Sequence, residues 1–240
     1  MAKLALISDV HANLPALNAV LNKLDAHSPD AFLCLGDLVG YGPHPEACLK
    51  IIRERQIPCV LGNHDAGVTG VLPPSHFRNP NRSLIEKTSE LLSENDISWL
   101  KSLPYTLKDE LNGLPWIAAH ASPKDPEKWE YVESALYVRN LLSKNDYQFI
   151  FIGHTHKPAL VADQLGVKSF KKGHKYLINP GSVGQSRDGD RRASCALIDT
   201  IKMEYHNFRV DYDIQSVVTD LQQMGFSREA ADHLMRLNRD

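Results

Sequence analysis

No apolar run in this 240-residue chain is long enough to cross a bilayer. The run that opens it, at residues 4–7, is too short for the core of a secretory leader and is soon cut by Asp9. Cysteine is scarce: Cys34, Cys48, Cys59 and Cys195 are scattered with no close pair, so the sequence has neither a Cys-x-x-Cys zinc knuckle nor a dense disulfide framework. Cys34, Cys59 and Cys195 sit in apolar, strand-like runs and are expected as buried thiols of a reduced, cytoplasmic protein. An excess of one charge is also missing. The 27 basic and 29 acidic residues leave a net charge of -2, which offers no general attraction to a membrane or a long nucleic acid. Repeats, low-complexity segments and a clear linker are absent as well. At 42% hydrophobic and 23% charged residues, the chain reads as one soluble globular domain over residues 1–240.

What is present is a series of short apolar runs that end in polar residues. Residues 3–8 read as a buried strand. Asn13 caps a helix with Pro15 in its first turn, and Leu14, Leu17, Val20, Leu21 and Leu24 form its apolar stripe. A second strand follows at 31–35, a helix at 45–55 and a third short strand at 58–61. This order is that of a parallel α/β layer, whose strands share one ligand-binding edge at their carboxyl ends. Residues 67–80, rich in Gly, Pro, Asn and Ser, read as a long loop near that edge. Helical patterns cover 82–92 and 96–103, and Asn112-Gly113 predicts a hairpin between strands at 106–111 and 114–119. A helix at 133–143 and a strand at 148–152 come next. The remainder reads mainly as β, at 159–162, 175–178, 194–199 and 202–209. Short helices at 214–224 and 228–237 close the chain. Their segment, 213–240, is assigned to pack on the domain, and the apolar stripe at 226–237 is expected to cover its own sheet, with a homo-oligomer contact as the alternative. The fold class is α/β, two β-sheets sandwiched by helices.

The polar ends carry the chemistry. Asp9 and His11 follow the first strand, Asp37 the second, Asn63 and His64 the third, His120 the hairpin, and His154 and His156 the strand at 148–152. Carboxylate, amide and imidazole without thiolate suit Mn, Fe, Zn or Co better than Mg or Ca. Seven ligands exceed one tetrahedral ion and fit two ions that share a carboxylate. Asp37 stands alone, which suits the shared position. Two divalent ions bring four positive charges; Asp9, Asp37 and a bridging hydroxide remove three, leaving about one to attract an anion. Such a pair clamps a phosphoryl group and activates the hydroxide between the ions for in-line attack on phosphorus. His64 is available to donate to a leaving or phosphate oxygen, with Asp65 as its orienting partner.

Asp9-x-His11, Gly36-Asp37, Gly62-Asn63-His64-Asp65, His120 and Gly153-His154-x-His156 resemble, in order, the five signature blocks of the calcineurin-like metallophosphoesterase superfamily. Gly40-Tyr41-Gly42-Pro43, Ser122-Pro123-Lys124-Asp125-Pro126 and Asn179-Pro180-Gly181-Ser182 resemble its compact bacterial and archaeal phosphodiesterases. The resemblance implies a four-layer α/β/β/α sandwich of two mixed sheets. It implies one metal held by Asp9, His11, Asp37 and His156 and a second by Asp37, Asn63, His120 and His154, with Mn favoured over Fe or Zn. His64 would face the substrate together with Asn63.

The expected activity is hydrolysis of a phosphodiester or small nucleotide-type substrate. A serine/threonine protein phosphatase and a dinucleoside polyphosphate hydrolase are the enzymatic alternatives, and a metal-free scaffold is disfavoured because no ligand position is substituted. The expected partner is a small phosphorylated substrate, with no membrane; the lack of a long basic patch argues against a long nucleic acid and leaves a nuclease as an open alternative. Tyr41 is a candidate cleft wall, and the glycines around it candidate clearance for a substrate phosphate. Arg187 is a candidate for holding a non-reacting phosphate, against pairing with the Asp residues of its own loop. Asn179 is a candidate for orienting a ligand histidine, and Arg82 and Asn79 for reaching the cleft.

Overall fold

In the computed structural model, residues 1–79, 81–167 and 170–235 are described. The strands are β1 (Lys3–Ile7), β2 (Ala31–Cys34), β3 (Thr106–Leu111), β4 (Leu114–Ala119), β5 (Phe149–Phe151), β6 (Ala159–Ala162), β7 (Tyr176–Asn179), β8 (Ala193–Asp199) and β9 (Glu204–Val210). The helices are α1 (Leu14–Asp25), α2 (Pro45–Glu54), α3 (Asn63–Val68), α4 (Asn81–Leu91), α5 (Glu94–Lys101), α6 (Ala135–Ser143), α7 (Ile214–Gln223) and α8 (Arg228–Leu234). One sheet has the order β2-β1-β8-β9 and the other β3-β4-β5-β7-β6. Both are mixed: β1 pairs parallel with β2 and antiparallel with β8, and in the second sheet β5 pairs parallel with β4 and β7 while β3–β4 and β6–β7 are antiparallel.

Alternation along the strands stacks the sheets. Leu4 and Leu6 of β1, with Leu33 and Ile198, meet Trp116, Ala118, Phe149, Phe151 and Ile178 of the second sheet. The opposite face of β1, Ala5 and Ile7, takes Leu17, Val20, Leu24, Leu49 and Ile52 from α1 and α2. Behind the second sheet, Ile117, Ile150 and Leu177 take Val138 and Leu142 of α6. The result is the α/β/β/α layering, with the carboxyl ends of β1, β2, β4 and β5 at one edge. No described helix is long and apolar enough to cross a membrane, and all four cysteines are buried free thiols.

Three details depart from the sequence reading. Residues 58–61 do not form a strand; only Cys59 bridges to Cys34. Pro58 has no N–H to give, and the Leu61 N–H turns away to Pro104 O (2.8 Å). Residues 63–68 form the six-residue helix α3, which the sequence reading did not assign. Among the described residues the C-terminal helices do not cover a sheet: Val217, Val218, Leu221, Ala231 and Leu234 pack in one cluster with Tyr41 and with Leu84 of α4. The end of the stripe expected at 226–237 lies outside the described residues.

Asn13 links this frame to the edge. Its side chain accepts from the Ala16 N–H (3.1 Å), capping α1, and donates to Gly184 O (3.0 Å) in the loop after β7. Asn13→Ala removes both bonds and is expected to cost about 1–2 kcal/mol in urea unfolding. A loss of only a few tenths would show that neither bond matters.

Candidate metal centre

The strand ends deliver their side chains through sharp backbone turns. Asp9, His11, Asp37, His154 and His156 all adopt left-handed backbone, with φ between 48° and 65°. Non-glycine residues pay of order 1–3 kcal/mol each for this, so its repetition around one point suggests a site that the fold is built to hold. The turns are pinned by backbone bonds: Asp9 N–H to Gly36 O (3.0 Å), His11 N–H to Asp37 O (2.9 Å) and Gly184 N–H to Asp9 O (2.9 Å).

Seven residues singled out from the sequence as ligands meet here. Asp9, His11, Asp37 and His156 form one buried group; Asp37, His120 and His154 form a second. Asn63 joins the second, its Oδ1 3.2 Å from His120 Nε2. Asp37 belongs to both. Its Oδ1 accepts the His64 N–H (2.8 Å), which leaves Oδ2 at 3.7 Å from His11 Nε2 and 3.2 Å from His120 Nε2.

Proton placement shows what the cluster needs. His11 Nδ1 lies 3.1 Å from Val39 O, His120 Nδ1 2.6 Å from Leu35 O, and His156 Nδ1 2.5 Å from Gln185 O. A carbonyl can only accept, so each Nδ1 carries the proton and each Nε2 of a neutral ring presents a lone pair. Burial, the largest cause, holds His11 and His156 well below the usual histidine range, so both are neutral. Their Nε2 atoms nevertheless face each other at 3.2 Å. Two lone pairs at that distance repel unless a cation lies between them. The spacing is what two imidazoles on one ion require, given metal–nitrogen bonds of about 2.0–2.1 Å. The residues present fit a metal.

The remaining titrations follow from the same crowding. Burial pushes Asp9 up to about 6, and His120 opposes it. Burial lowers His120, but the Asp37 and Asp9 carboxylates outweigh it and bring the ring to about 10. Asp37 is held well below its usual range against burial, chiefly by His120 and His64. Burial takes His64 down to about 4 and His154 to about 3.

The cluster opens into a cleft of about 660 Å³. His64 lines it, and a Cβ at Gly40 would lie 2.5 Å from its Nδ1. Gly42 likewise lies against the backbone of His11 and Ala12. These glycines make room for the site's own histidines, which replaces their expected role as clearance for substrate. Tyr41 and Arg187 line the cleft as expected. The Tyr41 hydroxyl accepts from Arg187 Nη2 and from Asn81 Nδ2, each at 3.1 Å. Arg187 also reaches Gln185 Oε1 (3.2 Å) and the Tyr131 hydroxyl (3.4 Å). The loop carboxylates are taken by other arginines, Asp188 by Arg209 and Asp190 by Arg192. Arg187 therefore has only neutral partners among the described residues.

The sequence matches the calcineurin-like phosphoesterase superfamily domain over residues 2–203. The chain belongs to this family. It is a phosphoric ester hydrolase by class, and the family depends on a dinuclear metal centre. It is 38% identical over 218 residues to an uncharacterized Methanocaldococcus jannaschii protein, covering 88% of each chain. A metallophosphoesterase from Sphaerobacter thermophilus shares its structure with a TM-score of 0.82 at 33% identity, over 97% of this chain and 98% of the other. It is also 30% identical to a symmetrical bis(5'-nucleosyl)-tetraphosphatase of Proteus mirabilis, over 59% of this chain and 53% of that protein. The chain thus spans about half the length of that relative.

Other expectations within this family site need correction. Asp65 does not orient His64. It is fully buried, and its Oδ1 accepts from the Leu38 and Val39 N–H groups (2.8 and 3.2 Å) while Oδ2 accepts from the Gly62 N–H (3.1 Å). It clamps the loop after β2 to the start of α3. Burial beside Asp37 pushes its carboxyl up to about 7, against the pull of those donors. Asn179 acts on a ligand loop rather than on a ring: its Nδ2 donates to Gly153 O (2.7 Å) and Thr155 Oγ1 (3.0 Å). Arg82 pairs with Glu86 and Asn79 bonds Ser83, so neither serves the cleft. Their neighbours Arg78 and Asn81 line it instead, with Phe77, Trp129 and Tyr131. Composition alone marked 67–80 as near the site, but nothing in the pattern told which of its residues turn inward. Asp65→Asn sets an amide N–H against the Gly62 or Leu38 donor. It is expected to lose about 1–3 kcal/mol in thermal or urea unfolding. Wild-type stability with only turnover impaired would return Asp65 to a role on His64.

Proposed function

We propose that the protein is a dinuclear phosphoesterase acting on a small phosphodiester or nucleotide-type substrate. The observation that carries this is Asp37 Oδ2 lying between two buried groups of metal-type ligands. Asp9, His11, Asp37 and His156 would hold one ion; Asp37, Asn63, His120 and His154 would hold the other. The donors mix carboxylate and amide oxygen with imidazole and include no thiolate, a set that suits Mn, Fe, Zn or Co, and manganese is the ion favoured here. When bound, such ions supply Lewis acidity at phosphoryl oxygens and make water a nucleophile near neutral pH.

The chain's own residues do the rest. His64 presents its ring to the cleft and donates to a phosphoryl or leaving-group oxygen. Arg187, with no carboxylate partner among the described residues, holds a non-reacting phosphate oxygen through its fork of N–H groups. The Tyr41 hydroxyl and Gln185 fix the direction of that fork. Asn179 and Asp65 keep the ligand loops in register. The buried free thiols support a reducing compartment such as the cytoplasm. A second reading, cleavage within a dinucleoside polyphosphate, is favoured by the likeness to the symmetrical tetraphosphatase.

A panel in Mn²⁺ tests both readings: aryl phosphomonoester, aryl phosphodiester, cyclic nucleotides and dinucleoside polyphosphates. At least one should be turned over, and Asp37→Asn should abolish that turnover by loosening both ions. Wild-type rates in Asp37→Asn would refute the assignment. His64→Ala should keep its metal and lose about 10²–10³ in kcat. Loss of metal in that variant would make His64 a ligand instead.

A further inference from the structure

The part of the cleft beyond the ligand cluster has a wall that phosphate chemistry does not use. Phe77, Trp129 and Tyr131 line it, and Leu72 is the one aliphatic side chain among the described lining residues. Tyr131 is 56% exposed, yet it is held at both ends. One face stacks on His154, with centroids 4.1 Å apart and planes 29° from parallel. Its hydroxyl accepts from Arg187. A ring of the cleft lining fixed in this way leaves its second face uncovered, and stacking on that face costs little further side-chain entropy. Phe77 contacts the His64 ring at 5.2 Å. Trp129 sits in left-handed backbone, φ 47°, uncommon for a bulky residue, and still lines the same cleft.

Charge completes the pattern. Arg78 and Arg187 line the cleft with no carboxylate partner among the described residues, whereas Lys128 is paired with Asp125; Glu127 is the one lining carboxylate outside the ligand cluster among the described residues. Rings and unpaired guanidinium groups, with almost no aliphatic surface, form a platform for a flat, polarizable, electron-rich group next to an anion. An alkyl leaving group would call for aliphatic walls. A peptide carrying a phosphorylated side chain would call for backbone donors and acceptors along a groove. The volume, about 660 Å³, lies within the range of small-molecule sites and leaves room for a ring system beyond the reacting phosphate.

The geometry points to a nucleobase subsite: the free face of Tyr131, with Trp129 beside it in the cleft, stacks the base of a nucleoside phosphodiester while Arg187 holds its phosphate. This rests on the proposed phosphoesterase reading and names its substrate class.

Two methyl phosphodiesters test it, adenosine 5'-(methyl phosphate) and ribose 5-(methyl phosphate). They share the reacting group and differ by the base. KM is measured with the Mn²⁺-loaded full chain, and equilibrium binding by tryptophan fluorescence in EDTA, where nothing turns over. The base should tighten both by about five- to hundredfold. Tyr131→Phe should keep that advantage and Tyr131→Leu should remove it, with the KM ratio moving more than the kcat ratio. Equal affinity of the two compounds for the wild type would overturn the subsite, and so would an advantage that survives in Tyr131→Leu. Failure of the phosphoesterase reading looks different. Neither compound would be turned over in Mn²⁺, whatever the base contributes in EDTA.

Discussion

Two imidazole nitrogens that face each other with unshared electron pairs are the constraint on which this molecule depends. His11 and His156 cannot both turn outward, because Val39 O and Gln185 O hold their Nδ1 protons. Nor do they gain a second proton easily, because burial opposes the charged form. The repulsion at 3.2 Å can be relieved only by a cation. The same reasoning extends through Asp37 to His120. Its Nδ1 is pinned by Leu35 O, so its Nε2 is left to the Asp37 carboxylate or to a metal. A buried cluster of two carboxylates and four histidines is costly as a structural element and makes sense as a receptor for positive charge.

The supporting structure answers this constraint piece by piece. Of the carbonyls that orient the rings, Leu35 O directly follows β2, while Val39 O and Gln185 O lie in the loops after β2 and β7, whose N–H groups at those residues are held by Asp65 Oδ1 and Ser182 Oγ. The left-handed turns at Asp9, His11, Asp37, His154 and His156 are tolerated because neighbouring groups over-determine them. Asp65 gathers three N–H groups and locks the Asp37 loop to α3. Asn179 does the same for the His154 loop through Gly153 and Thr155. Gly62 is needed because a Cβ there would strike Asp37 itself. These residues touch no ion, yet they decide where the ligands point.

Much of this was legible in the sequence. Apolar runs that stop at Asp, His or Asn give both the strand and the polar end, so the seven ligand candidates and the two-sheet layering followed from pattern. Asn112-Gly113 marked its hairpin because a tight turn needs left-handed backbone at both positions, and both have it. Other features left no periodic trace. At six residues α3 is too short to show an amphipathic stripe, so its Asp65 read as a partner of His64 rather than as a clamp at a helix start. Residues 58–61 looked like a strand by composition, but pairing depends on a neighbour's free N–H and C=O groups, which composition does not record. The aromatic wall at Phe77, Trp129 and Tyr131 is assembled from two irregular segments. Only the folded chain brings them together.

The central claim is that this cluster is built for two cations sharing Asp37. It is tested most directly by equilibrium dialysis of metal-stripped protein against Mn²⁺, with bound metal counted by elemental analysis. The account predicts saturation at two ions per chain. Saturation at one ion, or no binding above that of a surface carboxylate, would contradict it.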